Sequence, residues 1–216
     1  MEAAVNSLIS GPAMPLRAIE TTANTSNGTA ARNFDFEIPN VMADPVKLAG
    51  IIEDSVVDGP GVRFVIFVQG CPHNCAGCHN QEAQDFSGGF NADIYKIADK
   101  IIKSRTKRLT FSGGEPFCKG GELAKIARLV DAEKRGIEII TYTGYLYEEL
   151  LEKARTDTGV KELLTVTNYL VDGRFEQDKK TLDWFYRGSS NQRIYDVTCY
   201  PNSTRARLIE RREDLR

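Results

Sequence analysis

The pattern of apolar and polar positions changes near residue 45: before it neither a strand nor a helix period is present, and after it the two alternate. Arg63-Phe64-Val65-Ile66-Phe67-Val68-Gln69 is apolar and β-branched, as a strand buried on both faces should be. Ile94, Ile97, Ala98, Ile101 and Ile102 recur at helical spacing, which predicts a helix over Ala92–Lys103. A short strand, Leu109–Phe111, comes next, then a helix over Glu122–Lys134 that stops near Gly136. Ile137–Tyr142 reads as the third strand, Leu146–Ala154 as the third helix and Tyr169–Asp172 as the fourth strand. Arg193–Val197 is expected as an edge strand.

Strands and helices in alternation predict an α/β fold built on parallel strands. Right-handed crossovers then bring the C-terminal strand ends to one rim, and an open, partial (β/α) barrel is the expected architecture. Three units of the chain are distinguished: an N-terminal extension at 1–45, the folded domain at 46–200 and a charged tail at 201–216. Thr21–Thr29 is small, polar and turn-prone, and cannot bury enough apolar area to offset ordering, so it is expected to stay disordered. It is open whether this extension is a docking tail, a dispensable segment, or untranslated with a start at Met42. Arg205–Arg216 mixes both signs of charge and reads as a solvated helix or a fray.

Composition narrows the chemistry only a little. The 216 residues suit one ordinary domain with a sizeable core, and a net charge of −2 offers no field for nucleic acid or an anionic membrane. No apolar run approaches the roughly 18 residues of a spanning helix, and the first residues lack a secretory pattern. Five cysteines, three of them crowded into one loop, do not form a disulfide framework, so a reducing cytoplasm is the expected location.

That loop is Gly70-Cys71-Pro72-His73-Asn74-Cys75-Ala76-Gly77-Cys78-His79-Asn80. Its C-x3-C-x2-C spacing supplies three thiolates and no fourth nearby. Three thiolates can hold three irons of a [4Fe–4S] cube and leave one iron open, whereas an electron-transfer ferredoxin closes its cluster with four. Two other readings stand: a Cys3His zinc site completed by His73 or His79, or three inert core thiols. A second motif, Ser112-Gly113-Gly114-Glu115-Pro116, follows a strand directly. Its glycines let a ligand approach the backbone, and exposed carbonyls with the Glu115 carboxylate can accept from an ammonium group. The plain reading is a glycine turn closing a strand. Cysteine loop, glycine turn, Thr141-Tyr142-Thr143-Gly144 and Asp172 all fall at strand ends, hence on one rim.

These segments resemble the radical S-adenosylmethionine (SAM) proteins, and within them the activating enzymes of anaerobic (class III) ribonucleotide reductase. The resemblance runs from about Lys47 to Val197. It is carried by Val57–Arg63, the cysteine loop, Ser112–Pro116, Thr143-Gly144-Tyr145, Leu170–Phe175 and Arg187–Arg193, the last two being the more specific marks. It implies that Cys71, Cys75 and Cys78 ligate a [4Fe–4S] cluster whose open iron chelates SAM. Gly77, Cys78 and His79 would pass close to SAM, and Ser112, Gly113, Gly114 and Glu115 would hold its methionyl end. Thr141 and Asp172 would be weaker contacts to ribose or carboxylate. Reductive cleavage of SAM would install a glycyl radical on the catalytic subunit of the reductase, with a flavodoxin-like protein as electron donor. Gly77 departs from the aromatic residue that many radical SAM proteins carry there, which leaves adenine packing open. Arg187, Asn191 and Arg193 would either grip the partner's glycine loop or pin a C-terminal loop. Cys118 reads as a buried free thiol and Cys199 as incidental.

Overall fold

The computed structural model describes residues 44–181 and 185–215. The expectations for the N-terminal extension, Met42 included, lie outside the described residues. An eight-stranded mixed sheet has the order β3-β1-β2-β4-β5-β6-β7-β8. At its centre β2 (Arg63–Val68), β4 (Arg108–Gly113), β5 (Glu138–Tyr142) and β6 (Tyr169–Asp172) run parallel. Both flanks are antiparallel: β1 (Pro45–Ser55) with β3 (Phe90–Asp93) on one side, β7 (Arg193–Asp196) with β8 (Arg207–Leu208) on the other. Four helices, α1 (Ile94–Lys103), α2 (Gly120–Lys134), α3 (Tyr147–Lys153) and α4 (Thr158–Val166), connect or follow the parallel strands.

The central strands form where the sequence is apolar on both sides. Successive residues of β6 go to different cores: Leu170 packs in the larger cluster with α1 to α4, and Tyr169 and Val171 in a second cluster on the opposite face. Helix α1 buries Ile94, Ile97, Ala98 and Ile101 as its spacing predicts, and starts where Asp93 accepts from the Tyr95 and Lys96 amides. Among the described residues no helix is long and apolar enough to cross a membrane.

Three differences from the sequence reading have physical reasons. Strand β1 escaped the pattern because its register shifts between Leu48 and Gly50 and again near Ser55, which breaks the period of two. Helix α4 was legible in Asp157, which accepts from the Val160 amide, and in Val160, Leu163 and Leu164, but it is short. Strand β7 is not the edge, because Arg207–Leu208 pairs with it. The C-terminal run therefore does not fray: Ile209 and Leu215 bury themselves against Ile194 and Val171 in the second cluster.

Candidate functional site

Parallel register sets the rim. Val68 pairs with Gly113, Phe111 with Thr141 and Tyr142 with Val171, so the residues just beyond these strands share one edge. Here a cavity of about 490 Å3 is lined by Cys71, Cys75 and Cys78, by Ser112, Gly113 and Gly114, and by Tyr142, Thr143 and Gly144. Val57 and Asp58 from the loop before β2, and Gly173, Phe175, Arg187, Gly188 and Gln192 from beyond β6, complete its wall. A larger hollow of about 600 Å3 lies along α1, but it is a surface groove of charged side chains in which Lys100 pairs with Glu53 and Lys103 with Asp99.

Local backbone contacts shape the cysteine loop. The amides of Gly70 and Cys71 donate to the carbonyls of Ala83 and Gln84, folding the segment after the third cysteine back under the first. The Asn80 amide donates to Cys78 Sγ at 3.4 Å. Gly77 turns with φ +70°, and a Cβ there would stand 1.9 Å from Gln177 Oε1. The place of the missing aromatic residue is thus taken by a side chain from beyond β6. Across the rim, Gly114 packs where a Cβ would meet the Gly70 carbonyl oxygen at 2.3 Å. The Gly114 and Glu115 amides donate to the Val68 and Gly70 carbonyls, each at 2.8 Å. The glycine turn and the cysteine loop are consequently one backbone unit.

The three thiols are unpaired and half-exposed. Burial pushes Cys71 up to about 11 and raises Cys75 as well, so these thiols hold their protons at neutral pH until a metal displaces them. A single zinc ion needs its donors gathered around one point. Among the described residues no three His, Cys, Asp or Glu side chains are gathered that way, and His73 Nε2 is spent on Glu115 at 2.9 Å. Three thiols lining one cavity suit a polynuclear cluster, whose cysteines bind separate irons.

Not every expected residue reaches the cavity. Gly77 stands beside its wall, while His79 lines it and rests on the Phe175 ring at 5.3 Å between centroids. Glu115 does not line it: the carboxylate is fully buried and bonded inside the protein. Thr141 is buried against Thr167, hydroxyl to hydroxyl at 2.8 Å. Asp172 is buried too, accepting from the Tyr147 amide and from two guanidinium nitrogens of Arg193. Contacts from these two side chains to ribose or carboxylate therefore find no support in the geometry. Asp172 raises the Arg193 pKa above its ordinary value, and Arg193 in turn lowers that of Glu148.

The Arg187–Arg193 segment mainly pins a loop. Asn191 Nδ2 donates to the Arg174 carbonyl at 2.8 Å and Gln192 Nε2 to that of Gly173 at 2.9 Å. These bonds hold Gly173–Gln177 over the cysteine loop. Cys118 is exposed at the surface, and Cys199 Sγ lies 3.1 Å from the Arg205 carbonyl oxygen. Tyr142, Thr143 and Gly144 belong to a segment that the sequence placed on the rim without giving them contacts, and Phe175 and Gln192 were not singled out individually. Thr143 and Gly144 follow a strand end just as Ser112–Gly114 do, and that position was the available signal.

An α/β sheet whose parallel strand ends meet three cysteines round one cavity suits an iron–sulfur protein. The 4Fe-4S single cluster domain family matches residues 57–195. Anaerobic ribonucleoside-triphosphate reductase-activating proteins are similar over about two thirds of the chain. That of Pasteurella multocida is 35% identical over 152 residues, 67% of this chain and 94% of the relative. Those of Vibrio cholerae and Enterobacteria phage T4 are 37% and 32% identical, over 66% of this chain and 93% and 88% of their own lengths. The chain belongs to the family of anaerobic ribonucleoside-triphosphate reductase-activating proteins.

Proposed function

We propose that this protein is the radical SAM enzyme that activates an anaerobic ribonucleotide reductase, and that Cys71, Cys75 and Cys78 hold its [4Fe–4S] cluster. The observation that carries the reading is the convergence of these thiols with the Ser112–Gly114 backbone on one cavity. When bound there, cluster and SAM supply a reductive cleavage whose outcome is a glycyl radical on the reductase. The chain's own residues bind, orient and shield. The three thiols would release their protons to solvent as they take up iron, and the Asn80 amide faces the sulfur of Cys78. Ser112, Gly113 and Gly114 would hold the methionyl end, while Gly77, Cys78 and His79 bound the opposite side. Phe175 and Gly188 line the cavity as well. No acid–base pair is called for, and the one imidazole–carboxylate contact described at the rim, His73 on Glu115, ties loops together.

The helices pack on one face of the sheet and the cavity opens beside the other cluster, which supports an open partial (β/α) barrel of the radical SAM type. A flavodoxin-like donor in the cytoplasm would deliver the electron. The test is made on anaerobically reconstituted protein reduced with dithionite and given SAM. Formation of 5′-deoxyadenosine, lost in Cys75→Ala, and a glycyl radical signal on added reductase are expected. A SAM-cleaving cluster at full strength in Cys75→Ala would overturn the ligand assignment, and a colourless zinc protein would overturn the whole reading.

A further inference from the structure

We infer that His73 and Glu115 form a latch that positions the cysteine loop against the rim, and that Glu115 serves SAM through this latch without touching it. The inference rests on the radical SAM reading of the site and departs from it over Glu115. A carboxylate offers about four lone-pair positions, and four donors occupy them here. Oε1 accepts from the Phe117 amide at 3.0 Å and the Thr143 hydroxyl at 2.8 Å. Oε2 accepts from the Gly144 amide at 2.9 Å and faces His73 Nε2 at 2.9 Å. With no exposed surface on the side chain, an incoming ammonium would have to displace one of them.

The donors come from three separate segments: the cysteine loop, the turn after β4 and the turn after β5. His73 sits between two of the cysteines, so its bond ties the loop that carries the sulfurs to the turns after β4 and β5. Room for it is built in. A Cβ on Gly144 would stand 2.3 Å from His73 Cδ2, and the Tyr145 ring meets the imidazole edge-on at 4.4 Å between centroids. The side chain is 3% exposed although it belongs to a surface loop. His73 is therefore a positioning residue, and Glu115 is the hub it grips.

The test compares His73→Leu, His73→Gln, Glu115→Gln and the double variant His73→Leu/Glu115→Gln. In iron-free protein the Gly144 amide should exchange with solvent faster in His73→Leu, and its protection should return in His73→Gln, which keeps a donor. In reconstituted protein before SAM is added, the spectrum of the reduced cluster should change alike in His73→Leu and Glu115→Gln. The KM for SAM should rise in both, about tenfold as for other partners behind a ligand shell, and no further in the double variant. A raised KM in Glu115→Gln with His73→Leu unchanged in spectrum and KM would overturn the latch, because Glu115 would then hold SAM itself. Effects that multiply in the double variant would overturn it too. Failure of the wild type to cleave SAM would sink the functional reading alone, since amide exchange and the SAM-free spectrum still test the latch.

Discussion

Arg63 and Glu115 are both fully buried charges, and they sit at opposite ends of the same parallel strands. At the N-terminal end, Arg63 bonds to Thr110 Oγ1, to the Pro60, Leu109 and Glu138 carbonyls and to the Glu138 carboxylate. Its partners lie on two neighbouring strands, β4 and β5, and in the loop before β2. At the C-terminal end, Glu115 gathers loops around an opening lined by thiols. The same physics, a charge excused from water by full hydrogen bonding, thus stitches the sheet at one end and shapes the site at the other. The fold separates the two tasks because the strand ends that carry loops of variable sequence are the ones that face the cavity.

Arg63→Met should have the largest effect on stability, about 3–5 kcal/mol, because the Glu138 carboxylate and three carbonyls lose their donor together. Urea unfolding of the iron-free protein measures it, and a loss below that of Glu115→Gln would break the comparison. Asp172→Ala comes next. It strips the buried Tyr147 amide of its acceptor and Arg193 of its partner, for an expected cost of about 2 kcal/mol and faster exchange of the Tyr147 amide. Thr141→Val should cost about 1 kcal/mol through the lost bond to Thr167 and leave the KM for SAM where it was. A raised KM would return Thr141 to the site.

The smallest effect is one of pH. The folded iron-free protein holds Cys71 up at about 11, above the ordinary thiol value of 9.0. The neutral thiol is thus the form the fold favours, and its contribution is whole below pH 9 and lost as pH rises through 11. Unfolding midpoints at pH 8 and pH 10.5 should therefore converge slightly in Cys71→Ser relative to the wild type. An equal drop in both proteins would show that Cys71 is not buried enough to matter.

Much of this was legible along the chain. Central strands β2, β4, β5 and β6 announced themselves because burial on both faces makes them largely apolar. The cysteine loop and the glycine turn were legible because their chemistry needs particular side chains at particular spacings. Gly50, with its break in register, hid β1, and the two-residue β8 is too short to carry a period. Two expected site residues do not line the cavity, for a common reason. Thr141 and Asp172 do lie at strand ends, as the pattern said, but alternation along a strand sends neighbouring side chains to opposite faces. Tyr142 reaches the cavity where Thr141 does not.

By itself the sequence determined the family, the parallel centre of the sheet and the three thiols, since each depends on residue type and short-range spacing. Only the tertiary structure decided that Glu115 is spent on His73, Thr143 and Gly144, and that Gln177 fills the space beside Gly77. It also decided that Arg187–Arg193 braces the loop over the cysteines. Those outcomes depend on contacts between residues some 17 to 100 positions apart, where a side chain finds its partner only after the chain between them has folded.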